Sequence, residues 1–443
     1  MRYALALLFS LGWILSAHAA DNWPQWRGPN AKGVVAAGNY PVEFSGEEGV
    51  VWKADVPGFG TSSPVVWGDS IFLTTSEGAQ QAKEEDEDAA DPGTAKDTLL
   101  CYGFDGKERW KRTLGPGLSG EHKMGSGSNP SPVTDGKHVI TYFKSGRVAC
   151  HDFTGNEIWQ DNLQDRYGEN TLWWDLGTSP ILAAGNVVFA VMQAGDSYLV
   201  ALDPATGKEV WKAKRQYERP EESDQAYTTP QVANVGGREV IVTWGADHLT
   251  GHDAKTGELI WESAGFNPKE EGMWRVIASH AMNDEIAVVP FGRGKFLAGV
   301  KLDGSGDVTE SGRVWEQEVE GPDVPTPIVS GDKIYTLSDG GKLSCRDLKT
   351  GAEIWSGVLP KGRDRYFASP VLAGDKLYCV REDGVAFVVD VSDGFKLLTS
   401  KAGNDLGEHV IATPVPVRDC LLVRGDDHLF CFGAKADGPA AAK

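Results

Sequence analysis

Leu199 to Ala213 reads LVALDPATGKEVWKA. Leu199 to Asp203 is an apolar run ending on an acid, the pattern of a buried strand. Thr206-Gly207 then makes a tight turn, the glycine supplying the φ > 0 conformation that a Cβ resists. The chain returns as a second strand carrying Trp211. The pattern recurs as DFTGNEIW (Asp152 to Trp159), DAKTGELIW (Asp253 to Trp261) and DLKTGAEIW (Asp347 to Trp355), with a degenerate copy, FDGKERW, ending at Trp110. Gly106, Gly155, Gly207, Gly257 and Gly351 each stand four residues before their tryptophan. A hairpin recurring at this spacing is a repeat fold.

Outward from the hairpins, each unit opens with Ser or Thr followed by Pro and an apolar run. The openers are Ser63, Ser131, Ser179, Thr229, Thr326, Ser369 and Thr413; between Thr229 and Thr326 the equivalent is Ser279-His280, with His in the Pro slot. That makes eight starts, most of them 43 to 50 residues apart. Four strands per unit at this period is the arithmetic of a β-propeller blade. The eighth unit stops near Phe432 after its third strand, while VWKA around Trp52 is an outer strand with no hairpin before it. Pairing the two would hide both edges and close the ring. The expectation is an all-β, eight-bladed propeller of four-stranded antiparallel blades over residues 49–433, closed by the N-terminal strand.

Residues 1–20 read as a signal peptide, with Arg2, an apolar run from Ala4 to Leu15 and Ala17-His18-Ala19 as cleavage site. The mature chain is then exported, periplasmic or secreted, with no transmembrane segment and no lipid-anchor cysteine. Residues 21–48, which include WPQWRGPN, read as an extended arm packed on the body. Residues 77–97, with the run KEEDEDAAD, read as a disordered acidic insertion in the first blade, and 434–443 as a disordered tail. The fifth unit is stretched through LDGSGDVTESGRVW to Trp315, and in the seventh Leu398 replaces the tryptophan.

The net charge of −20 argues against nucleic acid or an anionic membrane as partner. Aligned on the hairpins, Cys101, Cys150, Cys345 and Cys431 share the slot of Ala201 and Gly251, a column for a small buried residue. Cys420 is the exception. With Gly425-Asp426 as the turn it would face Cys431, and a disulfide there stays open. Trp52, Trp110, Trp159, Trp211, Trp261, Trp315 and Trp355 are expected to fill the gaps between blades, each burial contributing on the order of 2 to 3 kcal/mol.

The hairpin from Ala201 to Trp211 resembles the PQQ-like repeat, AxDxxTGxxxW, and does so in register along nearly the whole mature chain. That resemblance implies a quinoprotein-dehydrogenase-like propeller. One eight-bladed branch binds pyrroloquinoline quinone with calcium; another, the BamB-like branch, is a scaffold of the outer-membrane assembly machinery and binds no quinone. The arm looks like that of exported planctomycete-type propellers. The dehydrogenase branch implies a vicinal Cys-Cys pair beside the quinone, and this sequence has none; it also has no CxxCH for haem.

The segments before each opener converge on the axis and hold His122, Lys123, Trp173, Trp174, Asp175, Tyr227, Trp274, Arg275, His280, Arg365, Tyr366 and His409. Aromatic and charged groups around a concavity are the default ligand site, and Met124 to Asn129 is a Gly/Ser loop able to cradle an anion. No HxH, HExxH or paired-Cys spacing assembles a metal centre. The expected function is therefore a non-catalytic, monomeric binding or scaffold propeller without cofactor, for a protein or small ligand. A degenerate quinoprotein oxidoreductase and a polysaccharide- or peptide-binding propeller are the alternatives.

Overall fold

The computed structural model describes residues 21–79 and 93–434. The signal-peptide reading, the KEEDEDAAD run and all but Ala434 of the tail lie outside these. Eight antiparallel four-stranded sheets stand in a ring, numbered here from blade 1 at Ser63 to blade 8 at Thr413. In the third blade the order is Ile181–Ala183, Asn186–Val191, Tyr198–Leu202 and Glu209–Lys214, each strand pairing with the next. The middle strands bury both faces, whereas the outer strand alternates. Val50–Asp55 pairs antiparallel with His428–Gly433, so the N-terminal strand completes blade 8.

The repeated tryptophan and glycine form one device. Trp159 of blade 2 lies on Gly207 of blade 3, where a Cβ would come within 2.7 Å of its ring, and its indole N–H donates to the Pro204 carbonyl at 2.8 Å. The same contact joins Trp52 to Gly106, Trp110 to Gly155, Trp211 to Gly257 and Trp315 to Gly351. In each case the indole donates to a carbonyl in the same turn. The small column faces the tryptophan across the strand pair: Ala201 opposes Trp211, Cys150 opposes Trp159 and Gly251 opposes Trp261. A Cβ on Gly251 would sit 2.3 Å from the Trp261 ring, which is why the column is small.

Three seams depart from this pattern. Blade 5 has no such turn, and the buried Trp261 N–H finds no acceptor among the described residues; instead Gly306–Asp307 adds a fifth, parallel strand to blade 4 beside Trp261. Between blades 6 and 7 a Cβ on Gly394 would meet nothing within 4 Å, and Trp355 faces Phe395 edge-on at 6.4 Å instead. Between blades 7 and 8, where Leu398 stands for tryptophan, the N-terminal arm fills in. Phe44 stacks on Phe432 at 4.6 Å, Tyr378 donates its O–H to the Pro41 carbonyl, and Asn404 clamps Val42 and Phe44.

The acidic insertion is shorter than the sequence suggests. Strands run to Glu77 and restart at Lys96, which pair directly, and Asp97 is fully buried against Ser145 and Arg147. The cysteine register is also different. Cys420 opposes Gly433, and Cys431 opposes Leu422, so the two thiols are diagonal neighbours rather than an opposed pair. All six cysteines are free. The turn is Asp426-Asp427 rather than Gly425-Asp426, because Gly425 N–H bonds the His428 carbonyl and the pairing moves along by one residue.

Candidate functional site

The openers build the site. The backbone N–H of Ser63 donates to Ser131 Oγ, Ser131 to Ser179, Ser179 to Thr229, Thr229 to Ser279, Ser279 to Thr326, and Thr326 to Ser369, at 2.9–3.0 Å. Thr413 N–H donates to Ser63 Oγ at 3.0 Å and carries the ring across the closure. Seven of the eight hydroxyls accept from the preceding blade in this way. The eighth, Thr413 Oγ1, accepts from Trp26 Nε1 instead. All eight line an axial cavity of about 300 Å³.

The arm closes one end of that cavity. Trp23 bridges Val66 of blade 1, the Pro24 carbonyl accepts from Thr134 of blade 2, and Val34–Val35 pairs parallel with the first strand of blade 7. These contacts lie at the far ends of the inner strands, away from the loops that precede the openers. Arg27, fully buried, donates to the carbonyls of Thr326 and Pro327 at 2.8 and 2.7 Å. Burial lowers its pKa to about 9, which leaves it charged at neutral pH. It holds Trp26 under the channel.

Counting back two residues from each opener gives a second ring, and every member lines the cavity. Thr61, Asn129, Gly177 and Tyr227 come from blades 1 to 4; Ile277, Val324, Phe367 and Ile411 come from blades 5 to 8. One half of the wall is therefore mixed and polar, the other aliphatic and aromatic.

At the mouth stand His122, Met124, Trp174, Asp175 and Arg275. Asp175 is satisfied from several sides: Lys144 Nζ at 2.7 Å and the backbone N–H of Glu121 and His122 at 2.9 and 3.0 Å. His122 lies edge-on to Trp174 at 5.5 Å, and its Nδ1 accepts from Met124 N–H. Burial holds its pKa below the ordinary histidine value, so the ring is neutral. Trp174 Nε1 donates to Glu222 Oε1 at 2.7 Å. Burial pushes the Tyr227 phenol well above its usual range. Arg275, half-buried, makes no hydrogen bond or ion pair among the described residues, and its charge is felt at both His122 and Tyr227.

Of the twelve residues picked from sequence, His122, Trp174, Asp175, Tyr227 and Arg275 meet in the cavity; the other seven do not. Lys123 and Trp173 lie on the rim, and Arg365 is exposed. Trp274 packs beside Gly292, and Tyr366 is buried with its O–H on the Pro360 carbonyl. His409 sits between Glu382 and Asp426, each at 3.5 Å. His280 is a correction. It is fully buried, is not in the lining of the axial cavity, and neither ring nitrogen has a partner among the described residues. Its carbonyl, not its ring, bonds the neighbouring Gln231.

The Gly/Ser loop is a second correction. Ser126 N–H goes to Asn129 Oδ1, Ser128 N–H to Ser126 Oγ and Gly125 N–H to the His122 carbonyl, so the loop cradles its own side chains. Sequence reading missed Trp26, because the arm has no period, and missed the second ring, although a count of two back from each opener finds it.

A quinone with several carboxylates and a calcium ion does not fit these residues. The cavity offers one unpaired cation and one carboxylate, and that carboxylate is already taken up by Lys144. No group of three or more His, Cys, Asp or Glu able to hold a metal occurs among the described residues, and the indole of Trp26 occupies the floor.

A ring of eight four-stranded blades locked by Trp–Gly contacts is a PQQ-like β-propeller. The family model described as outer membrane protein assembly factor BamB matches residues 34–195, 144–308 and 306–428, and the chain belongs to that family. A curated relative, the outer membrane protein assembly factor BamB of Shewanella oneidensis, is 24% identical over 261 residues, 56% of this chain and 60% of that protein. The chain thus matches less than two thirds of that relative's length. Among solved structures, BamB from Moraxella catarrhalis superposes with TM-score 0.57 at 14% identity, covering 86% of this chain and 99% of that one. A europium-containing methanol dehydrogenase superposes with TM-score 0.64 at 12% identity, covering 92% and 90%. At such identities the likeness is one of fold. No helix among the described residues is long and apolar enough to cross a membrane.

Proposed function

We propose that this chain is an exported, non-catalytic binding propeller, a BamB-like scaffold in architecture, whose working face is the open mouth of the axial cavity. The observation that carries this reading is the asymmetry of the axis. The chain's own arm covers one end, held by Trp26 and the buried Arg27. The other end gathers Trp174, His122 and an unpaired Arg275 around a concavity. Two exposed tryptophans, Trp173 and Trp174, stand at that mouth, and large amphipathic side chains of this kind anchor binding surfaces. The donors in the lining, eight opener hydroxyls and one unpaired guanidinium, support binding of a polar ligand.

Site-specific photocross-linkers in cells test the face. A probe at Trp173 should capture a discrete partner, whereas one at Asn234, on the arm side, should not. Equal capture from both positions would sink the assignment of the working face. A titration with pyrroloquinoline quinone, with and without calcium, should leave the melting temperature unchanged.

A further inference from the structure

The hydroxyl ring has a property that its hydrogen-bond pattern makes explicit. Each opener hydroxyl accepts one N–H, from the neighbouring backbone or from Trp26, and none donates to a protein acceptor among the described residues. A hydroxyl has one proton to give and two lone pairs. Eight O–H donors, each with a lone pair to spare, therefore line the inner end of the cavity. Such a ring suits a ligand rich in hydroxyl or carbonyl oxygen, because each ligand oxygen meets groups that can both give and accept.

Two further features narrow the class. Ile277, Phe367 and Ile411 make one half of the wall apolar, so the ligand has an apolar face as well as polar edges. Above them Arg275 is the one cation in the lining, half-buried and without a carboxylate partner. An unpaired guanidinium in a partly desolvated site favours a carboxylate, which it can grip bidentately. The cavity's own acid, Asp175, does not compete, because Lys144 and two backbone N–H groups hold it. The overall charge of −20 opposes anions at long range, so these short-range donors have to supply the selectivity.

We infer that the axial cavity binds a hydroxylated carboxylate of sugar-acid type, with its carboxylate on Arg275, its hydroxyls on the opener ring and its C–H face on the apolar half-wall. A cavity of about 300 Å³ lies at the lower end of the range for small-molecule sites and holds one or two sugar-sized rings. The inference rests on the mouth being the working face and adds the ligand's chemistry.

The test is calorimetry and thermal melting of the full chain with glucuronate, with glucose as the neutral counterpart, and with inorganic phosphate. Glucuronate is expected to bind and raise the melting temperature. Glucose is expected to bind at least tenfold more weakly, and phosphate not measurably, since it lacks the ring. Arg275→Gln should reduce glucuronate affinity to the level of glucose, and Arg275→Lys should restore part of it. Arg275 makes no hydrogen bond or ion pair among the described residues, so both variants should keep the parent melting temperature without ligand. Equal binding of glucose and glucuronate, unchanged binding in Arg275→Gln, or no response to millimolar glucuronate would each overturn the inference. Persistent cross-links from position 173 with no glucuronate response would overturn the ligand class alone; loss of both would overturn the working face as well.

Discussion

Trp26 Nε1 donates to Thr413 Oγ1 across 3.3 Å, at the one opener hydroxyl that receives no backbone N–H from a neighbouring blade. The arm thus completes the ring of accepted hydrogen bonds while it covers the channel. Arg27 anchors that arrangement. Arg27→Ala should cost about 3 kcal/mol, because it leaves the buried carbonyls of Thr326 and Pro327 without their donors. The loss should be local: limited proteolysis would cut within residues 21–40 of the variant while the ring resists. Global unfolding in place of arm release would show that the arm is part of the cooperative unit.

Gly207 faces two demands at once, φ of +66° and a Trp159 ring atom 2.7 Å from where a Cβ would stand. Gly207→Ala should lose about 2–3 kcal/mol in urea denaturation, from left-handed strain plus displaced packing. Gly185 is the comparison, since it also has positive φ (+80°) but open space around its Cβ. Gly185→Ala should lose only the strain component. Equal losses would mean that the Trp–Gly contact contributes little.

Acid sensitivity has opposed contributors. Burial lowers His151 and His252 to about 4 and His280 to about 3, from 6.5. Between those values and 6.5 the unfolded chain binds the proton and the folded chain does not. Their neutral, buried state therefore costs stability as pH falls through 6.5. Burial raises Asp97 and Asp339 to about 6, which gives the opposite sign between pH 6 and 3.8.

A single variant isolates one group. His280→Pro restores the residue found at the other seven starts and removes two unpartnered ring nitrogens. Relative to the parent, it should gain about 2 kcal/mol on going from pH 7 to pH 5, at 1.36 kcal/mol per pH unit below 6.5. Parallel stability curves for the two proteins would contradict a neutral buried His280.

The thiols give a chemical check on register. Cys420 is half-buried, and Cys431 lies diagonal to it rather than opposite. The other five are buried, and burial pushes Cys101 and Cys150 up to about 12. A thiol reagent should find one reactive group in the native protein, at Cys420, and six after unfolding without reductant. Four after unfolding would demonstrate a disulfide.

The sequence by itself determined the blade count, the closure through Trp52 and the column of small residues. Each of these is a local rule, a turn glycine or a strand period, written eight times over with variations. Repetition makes such signals legible even where one copy is degenerate. It also exposed five residues of the cavity, because loops before the openers have to converge on the axis of a ring. Only the tertiary structure decided the rest. Trp26 and Arg27 meet openers some 300 residues or more away in the chain, and no periodicity reports where an arm crosses a disc. His280 carries the letter of a channel residue, yet it turns into the core, since the position after an opener faces the blade's interior. Whether a polar side chain is consumed or left free, as Asp175 is consumed and Arg275 is not, depends on groups brought together across blades.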